Sequence, residues 1–428
     1  DTHTHTKREK EVMGEKEVMT GGGAAVLRMP AAAMIVVGCL RWKSKAATSS
    51  FLLAEPPSAA PAPGRMDLGS VQRFIEQTRK DLQFLNDTVA RAHGVDGSPI
   101  KDFDTTTLGE ESSAGYFSTT SRIHIMHNEG ARLPHSLIVK RAGGFNESFR
   151  SMAERAQVAE KEHKFYSLLL PRLSTEVASS LPRVYHSSPS SLLMEDLSPR
   201  ADVADQEEGI DSAFAEKAVR LAAGLHAPFW GSPRMPDCVV PGADPSSWLS
   251  LIQAKSSEIY RARGFLGGCG DEVDEAIGAY LHEHAEAIHR RATEEVPQTL
   301  IHADMRAGNL MRERGEGKGG CLLLDWQTFC AGPGLYDIAS LLVCSMTVSA
   351  RRLHCLDLLR LYQRRLGELG VDYAWDDLML HFRLAMLQQA FLINYAFEDV
   401  TAEDCPLLFT RARRRIIQAI TDFNCLDL

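Results

Sequence analysis

The chain has 428 residues, 44% of them hydrophobic, enough for two or three domains with buried cores. Its formal charge of −9, from 56 acidic against 47 basic residues, excludes a broad basic surface for a nucleic-acid backbone or an anionic membrane. Nine cysteines stand singly with no C-x-x-C spacing, the pattern of reduced, mostly buried thiols in a reducing compartment, so a cytoplasmic place is expected.

The first residues carry a Thr-His run, Thr2 to Thr6, and a direct repeat, Glu9 to Met13 and Glu15 to Met19, which cannot build a core. No acidic residue stands between Glu17 and Glu55, a composition that fits an organelle-targeting segment over 18–65. The apolar run Ala31 to Leu40 is too short to span a bilayer, so stable membrane insertion is not expected. The chain starts at Asp1, so upstream sequence translated in frame is suspected, with Met29 or Met66 as the true start. A Pro/Ala/Ser tract, Pro56 to Gly64, reads as a linker. Residues 1–65 are therefore set apart as low-complexity or targeting sequence.

Apolar residues at helical spacing predict a leading helix over Val71 to Val89. Ile123 and Ile125 alternate with Arg122 and His124, and Ser136 to Val139 is a short apolar run, so two or three strands are expected between Ile100 and Lys140. A long helix follows over Ser148 to Leu170, then strands at Pro182 to Tyr185 and Ser191 to Met194. Further helices are predicted over Ser212 to His226, Ser246 to Arg263, Glu272 to Arg291, Tyr336 to Val348, Arg352 to Leu369, Trp375 to Phe397 and Arg411 to Phe423. The order is α+β: a small β-sheet lobe, 66–194, then a larger α-helical lobe, 195–428, interrupted by short strands near Leu300 to Asp325.

Those short strands carry the chemistry. Leu300-Ile301-His302-Ala303-Asp304-Met305-Arg306-Ala307-Gly308-Asn309 and Cys321-Leu-Leu-Leu-Asp325-Trp-Gln327 are apolar strands ending in polar residues. Phosphoryl transfer to a hydroxyl needs an aligned acceptor, a carboxylate to take its proton and divalent metal on the phosphates. Asp304 has the type for the proton acceptor, and Asn309 and Asp325 for Mg²⁺ ligands. Two carboxylates about 5 Å apart would repel by roughly 3 kcal/mol at an effective dielectric near 20, which a divalent cation reverses. The competing reading makes Asp304 and Asn309 turn caps and Asp325 a helix cap. Arg306 either binds an anionic substrate group or anchors the loop, and His302 reads as a buried histidine orienting it.

Lys140 ends the apolar run Leu137-Ile-Val139 and needs an anionic partner. Glu162 on the next helix is the natural one, with Glu154, Glu160 or a solvated helix face as competing readings. Between the strands, Leu108-Gly109-Glu-Glu-Ser112-Ser113-Ala-Gly115-Tyr116 is a degenerate glycine-rich loop. Gly109, Ser112, Ser113 and Gly115 are candidates for nucleotide phosphates, against an ordinary hairpin turn. Glu195, Asp196 and Leu197 fit the link between lobes, where adenine would bond backbone groups. Asp337 reads as a brace for the catalytic loop or a helix cap, and His226 and Trp230 as core packing.

At these residues the chain resembles the aminoglycoside phosphotransferase and choline-kinase-like branch of the protein-kinase-like superfamily, and within it the ecdysteroid-kinase-like phosphotransferases. The motifs are Pro134 to Lys140, Glu162 to Tyr166, Leu193 to Leu197, Asp205-Gln206 with Gly209, Leu225 to Trp230, His302 to Asn309, Asp325-Trp-Gln327 and Gly334 to Asp337. Protein kinases would be expected to carry Asp-Phe-Gly where Asp325-Trp-Gln327 stands. The resemblance implies a bilobal protein-kinase-like fold and dependence on ATP and Mg²⁺. It further implies Asp304 as base, Asn309 and Asp325 on metal, Lys140 on the α- and β-phosphates, and a small hydroxylated acceptor. Two departures stand out: Ala303 where the family usually has Gly, and the degenerate glycine-rich loop. The latter motivates the alternative of a catalytically weak or inactive nucleotide-binding protein of the same fold.

Overall fold

The computed structural model describes residues 68–108, 118–142, 154–231, 235–265, 272–315, 319–396 and 406–428. All of them belong to one unit, 31–428.

The amino-terminal lobe is a five-stranded antiparallel sheet in the order β1-β2-β3-β5-β4: β1 Ile100–Leu108, β2 Ser118–His127, β3 Ser136–Ala142, β4 Val184–Ser187 and β5 Ser191–Glu195. Helix α1, Leu68–Leu85, covers one face. The alternation read in β2 places Ile123 and Ile125 in that layer with Leu85, Leu137, Val139 and Leu193, all buried. Asn86 seals the junction by working as a strand partner: its side-chain amide donates to the Ile100 carbonyl and accepts from the Ile100 N–H, both at 3.0 Å.

The helix expected over Ser148 to Leu170 is not continuous where it is described. Gln157 sits at φ +52, in the left-handed region, and breaks the helical path. A new helix, α2, Val158–Lys164, starts there and runs into a wider π turn, Phe165–Leu169. This break resets which side chains face the sheet.

The carboxyl-terminal lobe is mainly helical, with α3 Ser212–His226, α4 Trp248–Arg263, α5 Glu272–Arg290, α6 Gly334–Ala339, α7 Val348–Glu368, α8 Trp375–Ala396 and α9 Pro406–Asp422. Asp211 caps α3 by accepting from the Phe214 N–H, and Phe214, Ala218, Leu221, Ala222 and Leu225 bury one face at helical spacing. The helix predicted over Tyr336 to Val348 ends instead after a π turn, Ser340–Cys344, and α7 begins anew behind its cap Thr347. The cause is Ser345, whose carbonyl accepts from Ile210 N–H and whose hydroxyl accepts from Ala307 N–H, so it serves neighbouring loops rather than a helix.

Two small sheets lie within this lobe: β7 Gln298–Ile301 pairs with β10 Cys330–Pro333, and β6 Ala201–Val203, β8 Leu310–Glu313 and β9 Cys321–Leu323 form the other. The segment 302–309 therefore runs from the end of one sheet to the start of the other, fixed at both ends. Among the described residues no helix is long and apolar enough to cross a membrane. Of the described cysteines, Cys321, Cys330, Cys344, Cys355 and Cys425 are buried and free, and Cys238 is half-buried and free.

Candidate active site

Lys140 and Val139 are neighbours on β3, so the pleat sends them to opposite faces. Val139 joins the α1 layer, and Lys140 points to α2 and the helical lobe. Its Nζ lies 3.0 Å from Glu162 Oε2 and 2.5 Å from Asp325 Oδ1. Glu162 is the helix carboxylate that reaches Lys140, whereas Glu160 pairs with Lys164 on the surface. Burial works against the Lys140 ammonium, but Asp325 and Glu162 more than offset it and hold its pKa above the ordinary lysine value. Burial also pushes Asp325 up, yet Lys140, with Arg306 beyond it, brings it below the usual carboxylate range. For Glu162 burial wins, and its pKa is raised even though Lys140 and the Trp326 N–H oppose the shift.

Asp325 adopts φ +68, which turns the chain so that its carboxylate meets Lys140 while Trp326 enters the core. Trp326 stacks on Phe165, with ring centroids 3.6 Å apart and planes 7° apart, and meets His302 edge-on at 4.6 Å. Such an aromatic pair adds about 0.5–1.5 kcal/mol beyond its buried area. Phe165 follows Glu162 by one turn of chain, so the Trp of Asp325-Trp-Gln327 ties the carboxylate-bearing strand end to the helix that supplies Glu162.

The segment 302–309 is held by bonds on every side. His302 Nε2 bonds the Leu324 carbonyl at 2.8 Å and Nδ1 accepts from the Asp304 N–H at 3.2 Å, which fixes a neutral tautomer and links this segment to the strand before Asp325. Asp337, fully buried, accepts from the His302 N–H at 2.7 Å and the Ala303 N–H at 2.9 Å. His226 Nε2 bonds the same carboxylate at 3.2 Å, and its Nδ1 meets the Tyr362 hydroxyl at 2.8 Å. Gly334 makes room for this pair: a Cβ there would stand 2.5 Å from that hydroxyl. Ala303 itself lies at φ +65, a conformation that costs a non-glycine residue roughly 1–2 kcal/mol, held here by the bond to Asp337.

Asp304 Oδ1 accepts from Arg306 Nε at 2.8 Å and Oδ2 from Asn309 Nδ2 at 2.7 Å. The same Nδ2 donates to the Asp304 carbonyl at 2.8 Å, so the Asn309 amide is oriented by its nitrogen. Its oxygen, Oδ1, is buried and has no hydrogen-bond partner. A buried amide oxygen with no partner, on a side chain bonded to Asp304, is a hard donor of the kind Mg²⁺ takes. Arg306 Nη1 continues to Gln206 Oε1 at 2.8 Å, which makes this arginine a loop anchor in the structure.

The other candidates fall elsewhere. Gly109, Ser112, Ser113 and Gly115 lie outside the described residues. Asp196 is bound to Arg122 and Ser136, each at 2.7 Å, and to the Ser198 N–H at 3.0 Å. Burial raises its pKa, but those bonds bring it below the ordinary carboxylate range. Glu195 pairs with Arg200, and its N–H donates to the Arg183 carbonyl; the Leu197 carbonyl accepts from Arg200 and Ala201. These groups of the link are engaged within the protein. Ser345 and Arg415, which brace the segment 302–309 and the loop before α3, gave no sign in the sequence, because each acts across a long chain separation.

A sheet lobe joined to a helical lobe, with a lysine and helix glutamate facing a strand-end aspartate, is the arrangement of the protein-kinase-like superfamily. Residues 127–363 match the phosphotransferase enzyme family, more than half of the chain, and the chain belongs to that family. Among solved structures it is similar to choline kinase from Cryptosporidium parvum, at 9% identity and a TM-score of 0.49, covering 81% of this chain and 97% of that one. It is similar also to Plasmodium vivax ethanolamine kinase, at 10% identity and a TM-score of 0.46, covering 83% and 91%. A third is the macrolide 2'-phosphotransferase of Brachybacterium faecium, at 17% identity and a TM-score of 0.40, covering 78% and 98%. No curated protein matches the chain in sequence.

Proposed function

We propose that the chain transfers the γ-phosphoryl group of ATP to a hydroxyl of a small molecule, in the cleft between a nucleotide lobe, 66–194, and a catalytic and acceptor lobe, 195–428. The observation that carries this reading is the meeting of Lys140 and Glu162, from the sheet lobe and its helix, with Asp325, beside Asp304 and Asn309. Lys140, kept charged by its two carboxylates, would hold the α- and β-phosphates. Asp304 would take the acceptor proton: a carboxylate has about four lone-pair sites, and Arg306 and Asn309 engage one on each oxygen, which leaves room for a hydroxyl.

Asn309 Oδ1 and Asp325 would hold Mg²⁺, which when bound neutralises charge on the phosphates. Among the described residues no cluster of three His, Cys, Asp or Glu could hold a metal alone. Mg²⁺ commonly takes one or two protein ligands and completes its shell with water and phosphate oxygens, so Asn309 and Asp325 would be enough. The glycine-rich loop, with Gly109, Ser112, Ser113 and Gly115, and the link Glu195 to Leu197 complete the nucleotide site in this proposal.

The test is a screen with γ-labelled Mg-ATP against hydroxylated metabolites and, in parallel, a peptide library. Label is expected on one or a few small alcohols. Label on peptides with none on small alcohols would contradict the proposal.

A further inference from the structure

Asp304 does not stand free, and what holds it begins outside the segment that matches the family. Arg306 bonds Asp304 Oδ1 through Nε and Gln206 Oε1 through Nη1, each at 2.8 Å. Gly308 permits this path: a Cβ there would stand 2.8 Å from Arg306 Nη1 and 3.4 Å from Gln206 Oε1. Gln206 in turn sits in a tight loop in which Asp205 Oδ1 accepts from the N–H groups of Glu207 and Glu208, and Gly209 turns at φ +89.

The loop is clamped from α9. Arg415, only 4% exposed, donates to the carbonyls of Gln206 at 2.5 Å, Glu207 at 2.7 Å and Cys344 at 3.1 Å. Arg411, one turn earlier, pairs with Glu208 at 2.7 Å. A Cβ on Gly209 would lie 3.2 Å from Arg415 and 3.1 Å from the Ser345 carbonyl, so loop, clamp and α9 are in close contact. The family match ends at residue 363, so Arg411 and Arg415 lie outside the matched segment.

We propose that Gln206, fixed by Arg415, is a positioning residue for the reacting carboxylate. It keeps the long Arg306 side chain in the one rotamer that holds Asp304 Oδ1 and leaves the rest of the carboxylate facing the acceptor. The inference rests on Asp304 acting as the base. It makes α9 part of the catalytic geometry through Arg415, which acts on the loop that carries Gln206.

The experiment follows release of labelled phosphate from Mg-[γ-³²P]ATP by the full chain, with water as acceptor. Gln206→Met is expected to lower kcat about tenfold with KM for ATP within about twofold of wild type. Gln206→Glu, which keeps an acceptor oxygen for Arg306, should recover most of that loss. In an Arg306→Ala background Gln206→Met should have no further effect, because the two residues act as one unit. Arg415→Lys should lower kcat in the parent chain but not in Gln206→Met.

An equal loss from Gln206→Met with and without Arg306 would overturn the proposal. So would full activity in Gln206→Met while Asp304→Ala abolishes hydrolysis. Hydrolysis indifferent to Asp304→Ala would instead overturn the phosphotransfer reading itself, and this inference with it.

Discussion

Asp325→Ala is expected to cut γ-phosphoryl transfer about 10³-fold, the scale on which a preorganised charge at a reacting phosphate contributes. Asp325 is where two demands meet. Its Oδ1 holds Lys140 from the sheet lobe, and the strand before it bonds the backbone of Asn309, whose Oδ1 is buried without a partner. Removal leaves Lys140 with Glu162 and, in the proposed site, would leave Asn309 as the single protein ligand for Mg²⁺. The rate should then need more Mg²⁺ to saturate, as well as falling at saturation. Initial rates across a Mg²⁺ titration measure both, and wild-type rates with an unchanged Mg²⁺ midpoint would count against the assignment.

Asp337→Ala is expected to act on stability as much as on rate. The carboxylate is fully buried and accepts from two backbone N–H groups and from His226. Its loss strands all three donors away from water, and breaking a buried charged network of this kind costs roughly 3–5 kcal/mol. Ala303 would also lose the bond that holds it at φ +65. Urea unfolding measures the first effect and transfer at a permissive temperature the second. A variant within about 1 kcal/mol of wild type would show that the brace is not needed.

Much of this arrangement is legible in the sequence where a short local pattern carries it. The two-residue period of β2 and β3 assigns Ile123, Ile125 and Val139 to one layer and so turns Lys140 to the other. The strand-loop-strand pattern around His302 to Asp325 places Asp304, Asn309 and Asp325 on adjoining sheet ends. The choice between Glu160 and Glu162 is less legible, since the left-handed Gln157 resets the helical phase just before them. Helical periodicity alone carries no sign of such a break.

What the sequence hides is contact across long separations. Gln206 and Arg306 are 100 residues apart, and Arg415 reaches Glu207 across 208. No period or cap marks such pairs. Ser345 is hidden for a further reason as well: it lies in a run of apolar residues that reads as continuous helix, whereas its hydroxyl and carbonyl accept from Ala307 and Ile210. Ala303 is legible only as a departure from a glycine, and the structure gives that departure a conformation.

In the proposed reaction Asp304 is the group that takes the acceptor's proton. The most direct test of that role is kcat for phosphoryl transfer by Asp304→Ala at saturating Mg-ATP, with Mg-ATP affinity measured on the same protein. A fall of about 10²–10⁴-fold in kcat is expected, with an affinity close to wild type. Transfer at the wild-type rate by Asp304→Ala would contradict it.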